Sequence, residues 1–365
     1  MFKFEELRNI HIELTTKCNA RCGNCPRNFF GSKKHSWIKD TEYTISEFKK
    51  YFSHEVLSQV KFILLCGSYG DPAACSDLEE IIDYLMSYDL EVQINSNMSL
   101  RSKESWERIG KSLNEKSQIV LSIDGLEDTN HLYRRGTRWN KIEENVQALR
   151  GTKANVVWEC LLFSHNIDQK EAINKKSKEW GVPSVLFKYP MGFKVDDNGV
   201  RYMPLLDSNG RVESLLYPHN QDVSRVYDLK LKLNINRIEH IQSGEYEPKE
   251  YKIKESNQEH SIECRSLKEN EVYIDGNKNV YPCCFFGSYD NPEQFDQQLL
   301  DYLHSIDRSK ISLKNSTLRE ILNNQTYSQV ESSWSCHSYS DGKLKICERY
   351  CSKKEGEVFH LYEKE

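Results

Sequence analysis

Short apolar strands alternate with amphipathic helices six times within the first 190 residues. The predicted strands span residues 11–16, 60–66, 90–94, 118–125 (with its exit), 156–163 and 184–188. Capping-box sequences at 44–47 and 76–79 predict the starts of two of the intervening helices. This order is typical of a parallel α/β sheet, because parallel strands need long crossover connections. Functional groups in such sheets gather at the carboxyl ends of the strands.

Three cysteines, Cys18, Cys22 and Cys25, lie just past the first predicted strand, with the spacing C-x3-C-x2-C. A doubly wound nucleotide-binding fold would place G-x-G-x-x-G at this point instead. Three thiolates on one loop can bind three irons of a four-iron cluster and leave the fourth open to a small molecule. Zinc is the alternative, although a structural zinc site takes four ligands and no fourth Cys or His follows closely. Disulfides are disfavoured, since the number is odd.

Composition narrows the class of protein. The length of 365 residues allows two domains, and a net charge of −5 with a pI near 6.2 gives no bulk attraction to nucleic acid or anionic membranes. We see no signal peptide and no apolar run of membrane-spanning length. Twelve cysteines in a chain without a signal-peptide pattern favour metal binding in a reducing, cytoplasmic compartment over disulfides.

The cysteine loop after the first strand resembles the signature of the radical S-adenosylmethionine (radical SAM) superfamily. This resemblance implies a partial (β/α)6 barrel and a 4Fe-4S cluster held by Cys18, Cys22 and Cys25. SAM would bind the open iron and be cleaved by one electron to methionine and a 5′-deoxyadenosyl radical. Asn24 departs from the family pattern, which usually has an aromatic residue before the third cysteine.

Further motifs at strand ends are similar to the SAM-binding motifs of this family. The turn 67–72 looks like its G-G-E-P turn, with Asp71 in place of Glu and a proposed role in holding the SAM ammonium group. The exits at 95–97 and 122–125 and the Y-R-x-G stretch at 133–136 look like contacts to the ribose and carboxylate. The residues thereby implied in SAM binding are Gly70, Asp71, Asn95, Ser96, Asn97, Ser122, Asp124 and Arg134. Taken singly, each motif also reads as an ordinary turn or a surface arginine.

Six cysteines fall within the last hundred or so residues, around a predicted β-hairpin at 272–283. One cysteine before the hairpin, one after it and a spaced pair downstream resemble the twitch domain, a short form of the SPASM extension. This resemblance implies one auxiliary 4Fe-4S cluster with Cys264, Cys283, Cys347 and Cys351 as ligands. Cys284 and Cys336 are the reserve ligands, with Cys336 a substitute for Cys347. A structural zinc site is the alternative.

The predicted organisation is a radical SAM barrel at 1–190, a linker or insertion at 191–260 and a twitch-like domain at 261–365. The predicted function is oxidation or rearrangement of a substrate after hydrogen abstraction, with a reductant such as flavodoxin or ferredoxin. A peptide maturase that forms cross-links or epimers is the second possibility, and a non-catalytic zinc or iron–sulfur module is the third. Only ten residues precede the first predicted strand, which favours a small-molecule substrate, or a peptide presented by a separate protein, over a peptide held by an added N-terminal domain. Neither the substrate nor the oligomeric state follows from the sequence.

Overall fold

The computed structural model describes residues 2–190, 192–196, 198–220, 262–288 and 297–352. The strands are β1 Asn9–Ile12, β2 Phe62–Leu65, β3 Glu91–Ser96, β4 Gln118–Ser122, β5 Asn155–Leu161, β6 Ser184–Lys188, β7 Lys194–Val195, β8 Arg201–Leu206, β9 Val212–Leu216, β10 Glu271–Ile274 and β11 Val280–Tyr281. The helices are α1 Ile45–Tyr51, α2 His54–Leu57, α3 Leu78–Leu85, α4 Lys103–Ser112, α5 Asn130–Tyr133, α6 Trp139–Ala148, α7 Lys170–Trp180, α8 Arg265–Lys268, α9 Cys284–Ser288, α10 Gln297–Ser305, α11 Leu318–Asn323, α12 Ser328–Ser332 and α13 Lys345–Cys351. Short 3₁₀ turns occupy Phe4–Glu6, Pro72–Ala74, Ile167–Gln169, Arg308–Ile311 and Ser333–Ser335.

The described residues fall into two compact units. The first contains 2–17, 39–94, 262–288 and 297–352, and the second contains 18–38, 95–190, 192–196 and 198–220. Neither unit coincides with a domain predicted from the sequence, since N- and C-terminal segments share the first unit. The predicted boundaries remain predictions.

The first unit is built on a mostly parallel sheet with the order β11-β10-β1-β2-β3. β1 pairs in parallel with both β2 and β10, and only β11 runs antiparallel, as the second strand of the C-terminal hairpin. Ile10 lies between Ile63 and Val272 in this register, and all three side chains are fully buried. A central strand buried on both sides explains why these strands read as apolar runs.

The predicted helix starts have different outcomes. Thr44 caps α1 with a capping box to Glu47, as predicted. The capping box predicted at 76–79 is wrong, because Asp77 is the N-cap residue of α3 and makes no capping hydrogen bond within that helix. The Ser76 hydroxyl donates instead to Glu42, and the Asp77 carboxylate accepts from the Ile45 N–H.

The second unit contains the parallel strands β4, β5 and β6 and a separate antiparallel sheet, β7-β8-β9. Trp158 on β5 is fully buried and stacks on Trp180 of α7, with ring centroids 5.0 Å apart. Glu159, the next residue along β5, therefore faces away from α7, where it forms an ion pair with Lys188.

All six predicted strands of the α/β region are present, which confirms the predicted fold class. β1 ends at Ile12, earlier than predicted, because Thr15 and Thr16 pair with Glu42 and Thr41 instead of continuing the parallel ladder. The predicted linker or insertion is described as far as residue 220, where β7 to β9 form a sheet; residues 221–261 lie outside the described ranges. Within those ranges, every helix is too short or too polar to span a bilayer.

Candidate functional site

The three N-terminal cysteines lie on one tight loop of the second unit. The N–H of Cys25 donates to the carbonyl of Cys22 at 3.1 Å, and the N–H of Ala20 donates to Cys18 Sγ at 3.3 Å. Burial, with Cys18 as a lesser cause, raises the pKa of the Cys25 thiol to about 12. Three neighbouring thiols become thiolates together only beside a compensating cation, and thiolates are the ligands of iron–sulfur clusters. This donor set therefore fits a four-iron cluster with one open iron.

The β7-β8-β9 sheet packs directly against the cysteine loop. A Cβ added at Gly23 would lie 2.4 Å from Leu205 Cδ2, and Cys22 contacts the apolar cluster that includes Leu205 and Met203. A Cβ at Gly192 would lie 2.1 Å from the Asn24 amide, so Asn24 packs against this segment. Sequence reasoning missed these contacts, since no local pattern ties residues 192–206 to the loop.

Asn97 faces the cysteine loop. Its side-chain N–H groups donate to Asn19 Oδ1 at 3.0 Å and to Cys18 Sγ at 3.8 Å, while its carbonyl accepts from the Ser99 N–H. Ser96 is buried at the end of β3 and accepts from the Met98 N–H, and Asn95 is half-buried beside it. The predicted exit at 95–97 therefore includes one side chain that contacts Cys18.

Asp124 and Arg134 form a buried ion pair. Arg134 Nε donates to Asp124 Oδ2 at 2.6 Å, and Asp124 Oδ1 accepts from the Leu161 N–H at 2.7 Å. Burial lowers the pKa of Arg134, but Asp124 and then Cys22 outweigh it, so the pKa lies above its ordinary value. The guanidinium thus stays charged next to the cysteine loop. Ser122, half-buried, ends β4 nearby in sequence.

The turn at 67–72 is in the first unit and lies against the segment that leads into Cys18. The Asp71 N–H donates to the carbonyl of Lys17 at 2.9 Å. A Cβ at Gly70 would lie 1.7 Å from the carbonyl oxygen of Thr15, so only glycine fits there. Asp71 is buried, and its Oδ1 caps the short 3₁₀ turn by accepting from the Ala73 N–H at 2.9 Å.

Glu13 is a site residue that sequence reasoning missed. It is fully buried, and its Oε1 accepts from the N–H groups of Tyr69 at 2.5 Å and Gly70 at 3.0 Å. Burial raises the pKa of this carboxyl to about 7, opposed by the Tyr69 N–H and reinforced by Asp275. A glutamate inside a predicted strand gives no local signal for such a role.

The four predicted auxiliary ligands all lie in the first unit. Cys264 and Cys351 share a hydrogen bond that lowers the pKa of Cys264 to about 6 and raises that of Cys351. Cys347 and Cys283 are close enough to raise the pKa of Cys351 further. The N–H of Glu263 donates to the carbonyl of Cys351 at 2.8 Å, which ties the two ends of this segment together. The donor set fits one four-iron cluster.

The two reserve cysteines, Cys284 and Cys336, have surroundings different from those of the four predicted ligands. Burial, followed by the nearby Glu271, raises the pKa of Cys284 to about 11 at the start of α9. Cys336 Sγ donates to the carbonyl of Ser332 at 3.8 Å. Across the described ranges, no three His, Cys, Asp or Glu side chains converge closely enough to hold a single metal ion.

Comparison with known proteins adds a family match to this geometry. Residues 12–174 match the model of the Radical SAM superfamily. A probable GTP 3′,8-cyclase from Thermococcus kodakarensis is 21% identical over 168 residues, which is 43% of this chain and 52% of that protein. The match therefore spans about half the length of that curated relative.

Solved structures share the fold at low sequence identity. The crystal structure of Streptococcus suis SuiB is 14% identical with a TM-score of 0.51, covering 89% of this chain and 68% of that one. Native anSMEcpe with bound AdoMet and Cp18Cys peptide is 15% identical with a TM-score of 0.51, covering 94% and 88%. The mostly parallel sheet thus has the radical SAM fold, as predicted. The match to the superfamily model is confined to residues 12–174, less than half of the 365-residue chain.

Proposed function

We propose that this protein is a radical SAM enzyme that abstracts a hydrogen atom from its substrate and oxidises or rearranges the product radical. The observation that carries the proposal is the loop on which Cys18, Cys22 and Cys25 lie together beside the charged Arg134. When bound there, a four-iron cluster supplies the electron that cleaves SAM to methionine and a 5′-deoxyadenosyl radical.

The chain's own residues would bind and orient SAM. Gly70 and Asp71 offer backbone oxygens and a carboxylate for the ammonium group, since a charged acceptor binds a cationic donor strongly. Asn95, Ser96, Ser122 and the other predicted polar residues at strand ends supply hydrogen bonds for the ribose and carboxylate. Asn97 has a second role in this proposal, because its amide donates toward Cys18 and hydrogen bonds to cluster sulfurs tune potential.

Cys264, Cys283, Cys347 and Cys351 would hold one auxiliary four-iron cluster. Their mutual electrostatic interactions support this set over one that includes Cys336. Trp334 packs in the same apolar cluster as Cys347, and burial raises the pKa of that thiol to about 11. A zinc site built from the same four cysteines is the competing proposal.

The first proposed substrate class is a small molecule, and the second is a peptide. An auxiliary cluster suits oxidation of a C–H bond, because it offers a place for the electron that the substrate loses. Peptide modification is favoured by one observation, the Cp18Cys peptide bound to the fold-related anSMEcpe.

Replacing Cys18, Cys22 and Cys25 together by Ala tests the assignment. The reconstituted variant should form no 5′-deoxyadenosine from SAM under a strong reductant, yet keep the iron of the auxiliary site. Formation of 5′-deoxyadenosine at the wild-type rate would contradict the assignment.

A further inference from the structure

Glu13 lies where three segments of the first unit meet. The chain passes from β1 through Glu13 toward the cysteine loop, and the turn at 67–72 and the hairpin turn between β10 and β11 both pack against this carboxylate. The side chain is fully buried, so each of its oxygens depends on protein donors. The hydrogen bonds of the Glu13 carboxylate therefore identify the segments that this side chain connects.

Each carboxylate oxygen of Glu13 serves a different turn. Oε1 accepts from Tyr69 and Gly70, as described above. Oε2 accepts from the N–H of Gly276 at 3.3 Å and from the hydroxyl of Tyr273 at 3.4 Å. One side chain thus joins the turn proposed to hold SAM to the C-terminal hairpin.

Tyr273 continues this connection toward the auxiliary cysteines. Its hydroxyl also bonds to Ser68 Oγ at 3.2 Å, within the same turn as Gly70. The edge of its ring lies against α9, because a Cβ added at Gly287 would be 2.2 Å from Tyr273 Cε1. α9 follows Cys283 directly in the chain, so the hairpin and its flanking helix form one packed element.

We propose that Glu13 is a positioning residue that couples the SAM-ammonium turn at 68–71 to the hairpin that leads to the auxiliary ligand Cys283. This inference rests on the proposed function. A carboxylate is required because its two oxygens accept from three backbone N–H groups and one hydroxyl. Glutamine has the same shape but would direct an NH₂ group at one of those donor sets. A perturbation of the hairpin should therefore change SAM affinity without any contact to SAM.

The experiment measures SAM binding and 5′-deoxyadenosine formation in three reconstituted variants. Glu13→Gln should raise the dissociation constant and the KM for SAM at least about tenfold, and Tyr273→Phe about threefold. The matched control Glu91→Gln, at an exposed position of β3, should match the wild type. kcat at saturating SAM should stay within about twofold of wild type in both test variants, because a positioning defect is offset by ligand binding whereas misfolding lowers the active fraction.

The outcomes separate the inference from the proposed function. Tight SAM binding by the wild type with unchanged constants in Glu13→Gln and Tyr273→Phe would overturn the role of Glu13 alone. Absence of SAM binding by the wild type would overturn the proposed function and the inference with it. If Glu13→Gln loses its iron or its circular dichroism spectrum, Tyr273→Phe decides: a raised KM supports the coupling, and an unchanged KM overturns it.

Discussion

Glu13→Gln should also change how the stability of the protein depends on pH. The pKa of the Glu13 carboxyl is raised from 4.5 to about 7 in the folded protein, mainly by burial, with Asp275 as a further cause. Between these two values the folded state binds more protons than the unfolded state, so this carboxyl makes stability fall as pH rises. The loss of unfolding free energy caused by ionising the buried carboxyl is absent below pH 4.5 and complete above about pH 7. Glutamine does not titrate, so the variant loses this component.

The magnitude follows from the size of the pKa change. Each pKa unit is worth about 1.4 kcal/mol, so the full penalty is about 3 kcal/mol at high pH. Part of it is already present at pH 5.5, and the change between pH 5.5 and pH 8 is about 2 kcal/mol. The wild type should therefore lose about 2 kcal/mol of unfolding free energy relative to Glu13→Gln over this interval. The hydrogen bonds that glutamine breaks shift the variant's stability at all pH values and leave the difference in slope unchanged.

Urea unfolding followed by tryptophan fluorescence, under anaerobic conditions at several pH values, measures this difference. Comparing the two proteins cancels the titration of groups that they share. Glu91→Gln, which alters an exposed glutamate, should give a curve parallel to that of the wild type. Parallel curves for the wild type and Glu13→Gln would show that the buried carboxyl does not titrate in this range, which refutes the reasoning.

Two further predictions concern the sites themselves. Asp71→Ala should weaken SAM binding because the ammonium group loses a charged acceptor, while Asp71→Asn keeps the cap on the Ala73 N–H and isolates the loss of charge; an unchanged dissociation constant in both would leave this turn a purely structural role. Cys351→Ala should lose about four irons per chain in an iron assay, since it removes the thiol that interacts with three others, whereas Cys336→Ala should keep them; the reverse result would contradict the ligand set.

The sequence predicted the α/β order and the strand-end motifs because both are local patterns. An apolar run predicts the strand at 62–65, and the Gly-Asp-Pro sequence predicts the turn at 67–72. Both signals lie within the segment itself and do not depend on distant residues. The capping box at 76–79 failed because Ser76 bonds to Glu42, a residue more than thirty positions away. Local signals identify candidate caps, and tertiary contacts select among them.

The roles of Glu13 and of β7 to β9 were not predictable for the same reason. Glu13 sits in an alternating apolar and polar stretch, the pattern of a half-exposed strand, yet it is fully buried. Its burial depends on donors from residues 69–70 and 273–276, which only the fold brings together. Likewise, Leu205 packs against Gly23, a residue far from it in the sequence. The segment around Leu205 shows only weak strand periodicity, so no local pattern predicts this contact.

The most direct test of the account is anaerobic reconstitution of the wild-type chain with iron and sulfide, followed by reduction in the presence of SAM. We expect about eight irons per chain, from two four-iron clusters, and formation of 5′-deoxyadenosine. About twelve irons would overturn the assignment of a single auxiliary cluster. Failure to form 5′-deoxyadenosine by a chain carrying its full complement of iron would contradict the proposed radical SAM activity.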